Sequence, residues 1–339
     1  MSLARWKTFT SRLPGPVLFG IACVVASPGG AAPYAYITNQ GSHDVSVIDA
    51  ASLREVGRPA VGRSPAGVAV SPASGKVFVS NPDSATVSVI ELASRKTVAS
   101  LAIDGGPVGI ATSRDGSRLF VADWYGNRLR VFATDDYRPL ASIAVGRAPA
   151  GIAVSADGAT VYVANRDDDN LSVIDARRLE VTATLPAGRH PFALGLSPSG
   201  RHLLALNVQG DDVTVIDPAG GRQLATLAVG RAPYGVAFDP AGRRAFVTNQ
   251  QADSLSVIDL ERLEVSATWP TATYPEGIAY ESAGAGHGAR LWVVSWMDDE
   301  VVIHDADSGR TLASVPVGSN PRAFGDFLAG SAPAPAEVR

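Results

Sequence analysis

The sequence predicts an all-β fold: a seven-bladed β-propeller of four-stranded antiparallel blades, closed by pairing the C-terminal strand with the N-terminal blade. Three series of residues predict it. Short strands ending in Asn or a close variant begin at Tyr34, Lys76, Arg118, Thr160, His202, Arg244 and Arg290, stepping by 42 residues five times and then by 46. Val-Ile-Asp or a variant of it ends at Asp49, Glu91, Ala133, Asp175, Asp217, Asp259 and Asp305. Prolines hold the same register at Pro65, Pro107, Pro149, Pro191, Pro233, Pro275 and Pro321. Four short apolar stretches per unit at this period specify propeller blades rather than a helical solenoid.

Residues 1–32 stand outside the repeat and read as a signal peptide. Arg5, Lys7 and Arg12 precede the apolar run Val17 to Ala26, and the small residues Ser27 to Ala32 follow, with cleavage expected after Ala31 or Ala32. The run is too short to anchor in a bilayer. Cys23 follows Ala22, but Gly20 stands where a lipobox carries Leu, so a lipoprotein is not expected. The expected location is the periplasm or the exterior. Cys23 is the only cysteine, which removes disulfides, thiolate metal sites and cysteine nucleophiles from the mature chain.

From residue 33 to 328 the chain is read as the propeller. Hydrophobic residues make up 46% of the sequence and charged ones 18%, enough apolar material for a closed core, and the net charge of −4 gives no reason to expect nucleic acid as a partner. Turn pairs such as Asp115-Gly116, Asp157-Gly158 and Ser199-Gly200 separate the first two strands of a unit. The insertion Ala283 to Gly288 accounts for the longer last step. The phase is informative: the mature chain begins with a second strand, Tyr34 to Asn39, and ends with an unpartnered first strand, Pro321 to Leu328. Joining them completes the seventh blade and removes the exposed edges of an open stack. The tail 329–339, with Ala-Pro-Ala-Pro, is expected to be disordered.

The strand Tyr/Phe-Val-Thr/Ala-Asn, the following Ser-Val-Ile-Asp and the turn Val-Gly-Arg-x-Pro-x-Gly-Val/Ile-Ala-Val-Ser-x-x-Gly resemble the YVTN-type β-propeller repeat of bacterial YncE-like and surface-layer proteins. The resemblance covers residues 34–328 and is specific for fold. Related propellers include noncatalytic subunits beside quinoprotein dehydrogenases, a haem-carrying nitrite reductase propeller, lactonases and a streptogramin lyase, so fold does not choose the function. In such propellers the loops entering each first strand and those leaving each second strand open on one face around the channel.

Repeat phase then predicts neighbours on that face. Two residues before the prolines stand Arg63, Arg147, Arg189 and Arg231, a candidate anion-binding ring that could equally brace loop carbonyls or carboxylates of neighbouring blades. Just after the prolines the small residues Ala66 and Ala150 give way to Phe192, Tyr234, Glu276 and Arg322, in consecutive blades of the closed ring. His190 and Tyr274, just before their prolines, and His43 and Trp296 from the other loops fall in the same sector. These eight residues are the candidate ligand site: aromatic walls with a carboxylate, a guanidinium and histidines at a channel mouth. The alternative is a Glu276–Arg322 salt bridge that merely plugs the channel.

No His-Glu-x-x-His, P-loop or Gly-x-Ser-x-Gly is present, and no metal or cofactor is expected. The expectation is an exported noncatalytic scaffold that binds a small molecule or a periplasmic protein, acts as a monomer, and serves a periplasmic redox or quinoprotein system by family analogy. Two alternatives remain: a lactonase or lyase using Glu276, His190 and Arg322, and a nucleic-acid-binding propeller.

Overall fold

The computed structural model describes residues 34–284 and 286–329; the segment expected to be a signal peptide and residues 330–339 lie outside them. Seven antiparallel sheets follow one another along the chain, and in the typical blade the strands run outward in sequence order, as in Pro149–Val154, Thr160–Asn165, Asn170–Asp175 and Glu180–Pro186. We number the blades by their second strands, from blade 1 at Tyr34–Asn39 to blade 7 at Arg290–Ser295. The second strands are buried on both faces because each blade is flanked by two others; the outermost strands are mostly exposed. Apolar clusters therefore form between blades, as where Phe120, Leu129 and Val131 of blade 3 meet Val161, Val163 and Ile174 of blade 4.

Closure follows the predicted phase with one refinement. Both ends of the C-terminal segment pair with Tyr34–Asn39: Arg322 N donates to Thr38 O at 2.8 Å, Tyr36 N to Phe327 O at 2.8 Å and Ala329 N to Tyr34 O at 2.9 Å. Between those ends the chain bows inward. Phe324–Asp326 pairs parallel with Gly67–Ser71 of blade 2, helped by Gly325 at φ 120, a conformation that favours glycine. The closing strand thus fastens two blades at once, and Phe327 and Leu328 enter the cluster shared by blades 7, 1 and 2.

The recurring residues have structural work. An Asn ends the second strand in five blades, and its Nδ2 donates into the third strand; in blades 4 and 5 its Oδ1 also accepts from the loop entering the blade. In blade 4, Asn165 Nδ2 donates to Ser172 Oγ (2.9 Å) and Asn170 Oδ1 (2.7 Å), while its Oδ1 accepts from Gly146 N (3.0 Å). In the left-handed turn that follows, Asn127, Asp169, Asp211, Asp253 and Asp299 accept from the backbone N of the residue before the next proline. On the opposite face, Lys76, Arg118, Arg244 and Arg290 reach the adjacent blade and donate to the carbonyls of Thr134, Ala176, Ala306 and Ala50.

The inserted loop of blade 7 stands over a buried ion pair. Arg290 donates to both oxygens of Glu281, at 2.7 and 2.8 Å, and Trp292 Nε1 donates to Glu281 at 2.8 Å. His287 Nε2 lies 3.8 Å from the same carboxylate. All its partners but Ala50 lie in blade 7, so this network is a local brace with one tie to blade 1.

Candidate functional site at the channel mouth

The loops that enter the first strands and those that leave the second strands meet around a cavity of about 420 Å³ at one mouth of the axial channel. Its floor is a buried charged cluster. Glu276, 1% exposed, accepts from Arg322 Nε at 2.7 Å, from Arg322 Nη2 at 3.3 Å and from Gln250 Nε2 at 2.7 Å. Arg322 Nη2 also donates to Tyr234 Oη at 2.7 Å. Burial lifts the Glu276 carboxyl above the ordinary glutamate value, against the pull of Arg322 and Gln250. Burial also works against the Arg322 charge, yet the Tyr234 and Glu276 oxygens hold the guanidinium above its ordinary value. Burial raises the Tyr234 phenol, which keeps it a proton donor.

One guanidinium nitrogen is uncommitted. Arg322 Nη1 has no partner among the described residues and is not sealed from solvent, so a residue of the cavity lining keeps two N–H donors free on a charge that Glu276 holds in place. The walls are aromatic. Phe192, Tyr234 and Phe324 pack with ring centroids 4.9, 4.9 and 5.7 Å apart, and Tyr274 lies 5.5 Å from Trp296. The arrangement suits an oxygen-bearing small molecule: its apolar body against the rings, its carbonyl or carboxylate on Arg322, and a carboxylate beside it.

Of the eight predicted ligand residues, Phe192, Tyr234, Tyr274, Glu276, Trp296 and Arg322 line this cavity; His43 and His190 do not. His43 occupies the left-handed turn position where five of the other blades carry Asp or Asn and blade 2 carries Ala85, and its Nδ1 accepts from Ser64 N at 3.1 Å. His190 sits at the left-handed position before Pro191, its backbone held by Asp169, and its Nδ1 is buried without a partner. The trio Glu276, His190 and Arg322 is therefore not one constellation: two members touch and the third points elsewhere than the cavity.

Three of the four arginines have other work. Arg63, Arg147 and Arg231 donate to the loop carbonyls of Asp83, Asp167 and Gln251, and Arg147 further pairs with Asp168 at 2.6 Å. These bonds brace the loops. Arg189 is exposed, and its guanidinium has no hydrogen-bond or ion-pair partner among the described residues; its backbone carbonyl accepts from Gln209 N at 3.4 Å. Polar lining residues that repeat reading missed are Gln40, Arg166, Gln209, Gln250 and Gln251; it also missed Phe324, which packs against Phe192 and Tyr234 without lining this cavity. Gln40, Arg166 and Gln250 follow the strand-ending Asn directly, a column that also holds Pro82, Trp124, Val208 and Trp296 and so departs visibly from regularity. Phe324 falls in an otherwise aliphatic column: Val68, Ile110, Ile152, Leu194, Val236, Ile278.

Fold and site define the class: a velcro-closed seven-bladed propeller with a charged, aromatic-walled cavity at its channel mouth. Residues 32–159 match a family described as YNCE-like beta-propeller, and residues 134–226 match one described as Lactonase, 7-bladed beta-propeller. The chain is thus a seven-bladed β-propeller related to the YncE-like and lactonase propeller families. No match was found among curated proteins. Among solved structures it is similar to hydrazine synthase of Kuenenia stuttgartiensis, with a TM-score of 0.71 and 21% identity over 80% of this chain and 92% of that one. A functionally unknown protein of Desulfotomaculum acetoxidans gives 0.75 and 13% over 86% and 99%. The dihydro-heme d1 dehydrogenase NirN gives 0.63 and 16% over 86% and 74%. These likenesses are of fold. The lactonase match corrects the expectation of a noncatalytic protein, because it relates residues 134–226 to an enzyme-associated propeller family.

Proposed function

We propose that this exported propeller is a lactonase-type enzyme that opens a cyclic ester at the channel mouth. The observation that carries the reading is the Glu276–Arg322–Tyr234–Gln250 cluster: buried charge on the cavity floor, built from positions where the repeat framework needs none. The match of residues 134–226 to the lactonase family supports it. Arg322 Nη1 would receive the lactone carbonyl oxygen and stabilise the negative charge that develops there. Glu276, its basicity raised by burial, would take a proton from the attacking water; the water oxygen bonds to the carbonyl carbon, the ring C–O bond breaks, and the proton passes to the departing alkoxide to give a hydroxy acid. Tyr234 holds Arg322 in register as a positioning residue.

The test is acid release measured by pH-stat, with residues 33–339 acting on a series of γ- and δ-lactones. E276Q and R322K should each lower kcat/KM by about 100-fold or more. H190A should stay within about twofold, since His190 does not line the cavity. A wild-type protein inert across the series, or E276Q acting at the wild-type rate, overturns the reading.

A further inference from the structure

The axial channel holds a second compartment below the site. The Phe192–Tyr234–Phe324 trio lies between the mouth and the lower channel, where a cavity of about 380 Å³ opens on the opposite face among the turns that join first and second strands. Its inner walls are largely aliphatic: Val70, Ile152, Leu194, Val236 and Ile278. Into this space the closing strand introduces Asp326.

Three features set Asp326 apart from the acidic residues of the turns. It occupies a repeat position held in the other blades by Val70, Thr112, Val154, Leu196, Phe238 and Tyr280, none of them charged. Its carboxylate has no hydrogen-bond or ion-pair partner among the described residues, whereas turn carboxylates such as Asp49, Asp115 and Asp305 accept from their own turns. It is open to the space of the channel yet lies deep within the ring, and desolvation there raises its carboxyl above the ordinary aspartate value. A carboxylate in such surroundings gains more from a cation than one in bulk water, because the opposing charge is less screened. The other charged residue of the lining, Arg114, lies on a turn toward the outer end and is itself engaged in a contact, so it is not a free counter-ion.

We propose that the lower compartment is a binding site for a small organic ammonium ion with an apolar body. The ammonium would donate to Asp326, and the aliphatic walls would take the hydrocarbon part. The volume falls within the usual range of small-molecule pockets, and a single convergent charge on apolar walls is the usual division of labour in them. A calcium ion would seek six to eight oxygen ligands, and one carboxylate is a poor start toward that number. The inference does not depend on the lactonase reading, since the two compartments share no polar group.

The probe is phenethylammonium, titrated calorimetrically into wild-type protein, D326N and A111L. Ala111 lines the compartment, and leucine there narrows it without altering charge. Wild type should bind saturably with one site, and both variants should bind at least about tenfold more weakly while still melting cooperatively, D326N no lower than wild type. The neutral isostere 2-phenylethanol should show no dependence on Asp326, and E276Q should bind the ammonium as wild type does. Equal affinity of D326N and wild type, loss of binding in E276Q instead, or Asp326-dependent binding of calcium in preference to the ammonium each overturns the proposal. Loss of lactone turnover in E276Q with ammonium binding intact would separate the two sites.

Discussion

Asn165 shows how one side chain can make a repeat necessary. Its amide donates to two side chains and accepts from a loop N–H, so three elements of a blade are fixed by four heavy atoms. Blade 3 reaches the same end differently. Asp123 replaces the Asn, still accepts from Gly106 N at 3.0 Å, and meets Arg130 at 3.4 Å where blade 4 has Ser172. The pair is a covarying swap: an amide with a hydroxyl becomes a carboxylate with a guanidinium. R130S alone would leave the fully buried Asp123 charge without its counter-ion and should cost about 2 kcal/mol or more in urea denaturation. The double variant D123N/R130S, which rebuilds the pairing of the other blades, should recover most of that loss; additive losses would show that the two residues are not coupled. These roles were partly legible in the sequence, because recurrence marks structural demand. The role of His43 was only half legible: the period puts it in the column of Asn127, Asp169 and Asp211, but only the hydrogen bond from Ser64 N shows that its imidazole does the work of their side-chain oxygens.

The turns after the third strands carry a second recurring device, with a pH signature. Asp175 accepts from Arg177 N and Arg178 N, Asp259 from Glu261 N and Arg262 N, and Asp49 and Asp305 accept in the same way from Ser52 and Ser308. Backbone donation holds Asp175, Asp259 and Asp49 below the ordinary value of 3.8, with the Ser52 hydroxyl adding to it at Asp49; at Asp305 the Ser308 hydroxyl leads and backbone donation adds to it. A carboxyl depressed in the folded state adds stability above its unfolded pKa and loses it as pH falls through the folded one. The urea midpoint should therefore hold on moving down to about pH 4 and decline below it, with a shallower decline in D175N/D259N. Glu276 has the opposite sign: its raised carboxyl favours the folded state at lower pH and weighs against it as pH rises through that value. Each turn needs only local chemistry, so the series was visible from its spacing.

The closed ring depends on its last segment more than on any single blade. Phe324, Phe327 and Leu328 are 7, 0 and 3% exposed, and Phe327 and Leu328 join residues of blades 7, 1 and 2 in one cluster. Ending the chain after Asn320 would uncover those three side chains, a loss on the order of 5 kcal/mol from apolar burial alone. It would also free the edges of Tyr34–Asn39 and Gly67–Ser71 for pairing with other chains. The truncated protein should aggregate on size-exclusion chromatography or show a cooperative melt shifted far downward by circular dichroism. A native melt would mean that the segment does not close the ring.

By itself the sequence determined the blade number, the strand order within blades and the circular phase, because these follow from a period that local turn chemistry and apolar alternation repeat seven times. It also placed Glu276, Arg322 and the aromatic residues in one sector, since equivalent positions in adjacent blades must become neighbours. Tertiary structure decided what that sector is. Whether Glu276 and Arg322 touch, which glutamines reach them, and where the histidines point depend on rotamers and loop depth, which no period encodes. The inward bow of the closing strand was decided there too. It arises where Gly325 lets the chain leave blade 1 for the edge of blade 2, and with it Phe324 and Asp326 enter the channel.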